Sequence, residues 1–275
     1  MFHASTCITS VAPSVARILG FAPPKCAGDG NPALEQLAAD AFFGRKADRA
    51  LLYNPDAIAH HLFAHYTDLF LSVLRHAPLA LPMQSVMPSV TPVCFASMYT
   101  GALPDVHGIQ AYVKPVLTCD TLFDAAIRAG RKPAIVSTCG DSISKIFLDR
   151  PMDYFLYDTV EEVNARAEEL ICEDQYDLIV IYNGNYDATM HRFSPEAPES
   201  LQALRDNTAA FDRFGFGEIL SGVKFRLFAF VEFGYRTQIS HNPGPYFAGL
   251  SFFVAQFYVI DIYNCHFSSP NLIVS

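Results

Sequence analysis

Short apolar runs separated by segments of helical spacing constrain this chain more than any other feature. Arg49–Tyr53 (RALLY), Pro133–Ser137 (PAIVS) and Asp177–Tyr182 (DLIVIY) each read as a buried strand. Between them, Ile58, Leu62, Tyr66, Leu69, Phe70 and Val73 recur at helical spacing until Pro78. Pro92–Tyr99 predicts a short helix with Gly101 beyond its end. Asp120–Ala129 predicts a helix capped by Asp120, with Gly130 past its C-terminus. Asp158 and Glu161 form a capping box that opens a helix through Ile171, and Glu199–Phe214 is a last helix. Strands alternating with helices predict an α/β fold, a mostly parallel sheet with helices on both faces. Ligands of such sheets bind beyond the C-terminal strand ends. Three polar clusters fall there: Asn54–Asp56, Ser89–Thr91 and Asn183–His191.

Composition divides the chain. Its 275 residues carry 28 acidic and 19 basic side chains, a net charge of -9. That balance excludes a sequence-independent nucleic-acid-binding face. Seven cysteines are scattered without a CxxC pair, which predicts buried free thiols and a reducing compartment. No signal peptide is recognised, so a cytoplasmic location is expected. The expected division is an N-terminal segment, 1–43, packed on an α/β core, 44–214. A Phe-rich, charge-poor tail follows, 215–275, where the sole charge from Thr237 to Ser275 is Asp261. This tail shows no clear helical or strand period, and its longest charge-free apolar run, Phe247 to Ile260, is shorter than the ~20 residues a membrane span needs.

The polar clusters suggest metal-assisted phosphoryl transfer. Asp187 and His191 stand four residues apart, on one side of a helix or compact turn. A carboxylate with an imidazole suits zinc or manganese, and Asp56 could add a second carboxylate. Thr91 precedes a helix whose positive end favours an anion. A metal would lower the pKa of its hydroxyl. Each signal has a plainer reading: a lone D-x-x-x-H is more often a surface pair, and a Thr before a helix is usually an N-cap. His60, His61, His65 and His76 read as exposed-face histidines. His107 reads as a hydrogen-bonding partner of the turn after the Pro92–Tyr99 helix. Asp141 and Ser142 read equally as a capped turn or as substrate contacts.

The stretch from Ser89 to Ile109, SVTPVCFASMYTGALPDVHGI, resembles the nucleophile segment of the type I phosphodiesterase/nucleotide pyrophosphatase branch of the alkaline phosphatase superfamily. That branch has a nucleophilic Thr, a helix ending in Thr-Gly, and then Pro-x-x-His-Gly. The resemblance covers roughly residues 44–214. It implies that Thr91 is the nucleophile and that Asp56, Thr91, Asp187 and His191 bind two divalent metal ions, zinc being the expected kind. It also implies a small-molecule phosphate ester as substrate. Ile8–Gly20 with Pro23-Pro24 resembles a segment that the superfamily usually carries near its C-terminus.

The family completes its metal sites with an Asp-His-Gly motif and a further His. This sequence has no Asp-His-Gly, and its later histidines, His241 and His266, stand in unrelated contexts. Two expectations follow. One is a metal-dependent hydrolase of phosphate esters acting through Thr91. The other is a noncatalytic, truncated or frameshifted member with incomplete metal sites, in which the fold is incomplete at the C-terminus and the tail does not build the second half of the site.

Overall fold

The computed structural model describes residues 7–77, 79–220, 226–232 and 252–260. Seven strands form one sheet: β1 (Arg49–Pro55), β2 (Leu79–Gln84), β3 (Pro133–Thr138), β4 (Asp153–Tyr157), β5 (Leu178–Asn183), β6 (Arg226–Glu232) and β7 (Phe252–Ile260). Their order is β2-β7-β6-β1-β5-β3-β4. All pairings from β6 to β4 are parallel, and β7 runs antiparallel to both β6 and β2. The expected mostly parallel α/β sheet is therefore present.

Alternation along the strands builds two cores. On β1, Ala50 and Leu52 face one side, whereas Leu51 and Tyr53 face the other. On β5, Leu178, Val180 and Tyr182 join the first core, and Ile179 and Ile181 the second. Both strands are buried along their whole length. That is why each reads as an unbroken apolar run rather than an alternating one. Over the first face pack α1 (Val11–Ile18), α5 (Thr91–Thr100), α7 (Leu122–Arg128) and α8 (Ser142–Ile146). Over the second pack α4 (Leu71–His76), α9 (Val160–Glu173) and α11 (Pro198–Leu220). The remaining helices are α2 (Pro32–Ala41), α3 (His60–His65), α6 (Pro104–His107) and α10 (Asn185–Phe193).

Several boundaries differ from the sequence reading. The single helix expected from Ile58 to Pro78 is instead α3, a 3-10 turn at Thr67–Phe70, and α4. The chain leaves helical geometry at Tyr66, with φ -124° and ψ 42°. The N-cap of α7 is Thr121, in a capping box with Asp124, rather than Asp120. Asp120 is engaged elsewhere, by Arg128 at 2.9 Å and by the Lys25 N–H at 2.7 Å. The box that opens α9 is Thr159 with Glu162, one residue beyond Asp158 and Glu161. In the tail, β6 and β7 are strands where no period is legible in the sequence. Both occupy interior positions in the sheet order. Of the six described cysteines, all free, only Cys94 is fully buried, so the expectation of buried thiols fails for the rest. No helix among the described residues is long and apolar enough to cross a membrane.

Candidate active site

Parallel strands deliver their C-terminal ends to one edge. Asp56 immediately follows β1, whose Pro55 is in register with Asn183 at the end of β5. The Asp56 N–H donates to the Asn183 carbonyl at 2.9 Å, which fixes the turn that carries the side chain. Beyond β5, Gly184 leads into α10, which carries Asp187 and His191. Beyond β3, on the other side of β5, the chain reaches Asp141 at the start of α8.

Thr91 is the first residue of α5, and Val90 takes the N-cap position without a side-chain cap. The Thr91 hydroxyl therefore does not cap the helix. It donates to Asp56 Oδ2 at 3.2 Å, so the plain N-cap reading of Thr91 is set aside. The same oxygen accepts a shorter bond, 2.6 Å, from the Tyr182 hydroxyl. Asp56 is only 3% exposed and Thr91 7%. Burial is the main cause that pushes the Asp56 carboxyl up to about 7. The negative charge of Asp187 adds to the rise, and the bonds from Tyr182 and Thr91 oppose it. Asp141 contributes a smaller repulsion to Asp56.

Asp187 and His191 lie on α10, with His191 Nε2 3.3 Å from Asp187 Oδ1. The helical spacing thus brings them together as read from the sequence. Burial raises the Asp187 carboxyl, and the His191 charge opposes that rise. His191 itself is largely exposed. Asp141 is raised by burial, opposed by the Thr138 hydroxyl bonded to it and by Lys114.

The site thus gathers Asp56, Thr91 and Asp187 electrostatically, with His191 at its solvent side. Tyr182 was not singled out by sequence reasoning. Its signal is positional: it is the last apolar residue of a buried strand and carries a hydroxyl that must find a partner. For Asp141 the capped-turn reading fails in one respect, since its side chain makes no cap bond to α8.

The donor chemistry fits a divalent cation. Oxygen ligands and an imidazole suit zinc or manganese, and the repulsion that Asp187 exerts on the buried Asp56 carboxyl is what a bound cation would relieve. The set is partial. Among the described residues, no group of three or more His, Cys, Asp or Glu side chains is placed to hold an ion. His241 and His266 lie outside the described residues.

The other histidines divide. His107 is buried, and Ser97 Oγ lies 2.8 Å from its Nε2. Its Nδ1 accepts the Ile109 N–H at 3.2 Å, as expected for a partner of that turn. The network places the ring hydrogen on Nε2, donating to Ser97. His76 corrects the exposed-face expectation: it is buried, with Nε2 2.8 Å from Asp212 Oδ1.

No protein-family model matches the chain, and no curated protein matches it. Solved structures do. Murine ectonucleotide pyrophosphatase/phosphodiesterase 5 shares the fold with a TM-score of 0.54 at 16% identity, over 69% of this chain and 58% of its own. The same murine protein, in an inactive form with one threonine replaced by alanine and in complex with AMP, gives 0.55 at 16% identity. That match covers 68% of this chain and 57% of the murine one. The human protein gives the same TM-score, identity and coverage. The chain therefore spans less than three fifths of the length of these structures. At this identity the likeness is one of fold: the chain shares the α/β architecture of these ectonucleotide pyrophosphatase/phosphodiesterase structures.

Proposed function

We propose that this chain carries the site of a phosphate-ester hydrolase of the phosphodiesterase/nucleotide pyrophosphatase kind, with Thr91 as nucleophile. The observation that carries the reading is the Thr91 hydroxyl donating to buried Asp56 at the first residue of α5. A hydroxyl held there faces the positive end of a helix, where the negative oxygens of a phosphoryl group are favoured. Asp56 orients the Thr91 oxygen, and Tyr182 fixes Asp56. The AMP complex of the murine structure supports a nucleotide or a similar small phosphate ester as substrate. Asp56, Thr91, Asp187 and His191 would hold divalent ions, zinc being the expected kind. When bound, these ions supply a lowered hydroxyl pKa and neutralisation of phosphate oxygens.

The test uses a generic phosphodiester and a phosphomonoester with added zinc or manganese. Thr91→Ala should lower turnover by at least about 100-fold while Asp56, Asp187 and His191 keep zinc bound. Asp187→Ala should lose zinc as well as turnover. Full turnover in Thr91→Ala would reject the reading.

A second reading, a noncatalytic member with incomplete metal sites, is favoured by the missing Asp-His-Gly and by the partial donor set. It predicts weak metal binding and no turnover from the wild-type chain. Stoichiometric binding of two zinc ions, lost on His241→Ala, would reject this second reading.

A further inference from the structure

Cys26 and Cys119 are 93 positions apart in sequence, yet their Sγ atoms lie 2.6 Å from each other. That is closer than unbonded sulfurs rest, and only about half an ångström beyond a disulfide bond of ~2.05 Å. The backbone on both sides is already joined. The Lys25 N–H donates to Asp120 Oδ2 at 2.7 Å, and Cys26 Sγ lies 3.3 Å from the Asp120 carbonyl oxygen. One turn further on, the Gly28 N–H donates to the Gly101 carbonyl at 3.0 Å. The two thiols are held in place by their neighbours and need no chain movement to meet. Both are partly exposed, so a small reagent can reach them.

We infer that Cys26 and Cys119 are a redox modification site, closing to a reversible disulfide that ties the segment between α1 and α2 to the loop before α7. The oxidant is a low-molecular-weight disulfide. The Cys119 thiolate attacks one of its sulfurs, forming a mixed disulfide and releasing one small thiol. The Cys26 thiolate then attacks the Cys119 sulfur, and the second small thiol leaves. Two protein thiols lose two electrons and two protons, and the small disulfide becomes two thiols. The order follows from the surroundings. Burial and the adjacent Cys119 push the Cys26 thiol up to about 12, and the first exchange removes the Cys119 charge from beside it. The bond would anchor the segment that covers the C-terminal end of α5, the helix that begins at Thr91. The inference does not depend on the hydrolase reading.

The test incubates the full chain with oxidised glutathione, then counts thiols after denaturation and maps non-reduced peptides by mass spectrometry. The expected result is a Cys26–Cys119 peptide, five titratable thiols out of seven, and a Tm raised by roughly 5–10 °C. Dithiothreitol should reverse all three. Cys26→Ser should abolish the Tm response to glutathione. Seven titratable thiols, a bond between other cysteines, or glutathione adducts on Cys26 and Cys119 without a bond between them would each overturn the inference. The wild-type peptide map decides the matter even if a serine variant fails to fold.

Discussion

Asp56 shows how one side chain can be legible in position and illegible in environment. Its place after an apolar strand was readable, because a buried strand must end where its charges begin. Its bond from Tyr182 was not, because that bond depends on the lateral register of β1 and β5. The same holds for Arg49, which opens a strand otherwise apolar. Its side chain is 2% exposed and its guanidinium donates to the carbonyls of Ile171 at 2.9 Å and Leu170 at 3.0 Å, and to Asp174 at 3.1 Å. It thereby satisfies carbonyls that the C-terminus of α9 leaves without partners. Arg49→Met should cost about 2–4 kcal/mol, read as a lower urea midpoint at unchanged slope. A change within experimental error would show that water replaces the guanidinium without loss. His107 gives a pH prediction. Burial lowers its imidazole from 6.5 to about 4. Between those values the unfolded chain binds a proton that the folded chain refuses. This contribution is complete above pH 6.5 and is lost as pH falls toward 4. Urea midpoints measured from pH 7 to 4 should fall, and the fall should be shallower in His107→Gln. Equal slopes in the two proteins would remove His107 as the cause.

Elements were legible where one local signal dominated and illegible where two competed. The α5 helix was clear because Gly101 stops it: the residue sits at φ 73°, a left-handed conformation that glycine adopts without cost. The same glycine is also a contact. A Cβ there would lie 2.6 Å from the Ala27 Cβ. Gly101→Ala should therefore destabilise by about 1–3 kcal/mol, and a thermal melt should show it. A neutral result would mean that the 24–28 segment moves away freely. The caps of α7 and α9 slipped by one residue because Asp120-Thr121 and Asp158-Thr159 each offer two capping oxygens in succession. Geometry chose the threonine in both cases. The strands β2 and β4 went unread because both lie at sheet edges. Pro82 interrupts the first, and the second opens on an exposed Asp153. Of the candidate site, the resemblance named Asp56, Thr91, Asp187 and His191, and the structure sets the Thr91 hydroxyl on Asp56 and His191 beside Asp187. The involvement of Tyr182, and of Asp141 beside the other two carboxylates, required the sheet order.

At the scale of the whole molecule, one sheet separates two cores, and its central strands belong to both. Leu52 is wholly buried in the core that α1 and α5 share, whereas Leu51, its neighbour on β1, is buried on the opposite face in the core that α9 and α11 share. A strand cannot lose one face and keep the other, because its hydrogen bonds to β5 and β6 serve both. The α/β alternation in the sequence announces this arrangement, but not that residues 226–232 would take the place beside β1. The architecture predicts a single cooperative unfolding transition for the sheet and both helical layers. Leu51→Ala and Leu52→Ala should each lower stability by about 2–5 kcal/mol, the cost of a cavity plus lost burial. Both should shift that same transition, followed in parallel by far-ultraviolet circular dichroism and tyrosine fluorescence. A melt in two phases, with Leu52→Ala moving only one of them, would show that the two cores unfold separately and that the shared sheet does not couple them.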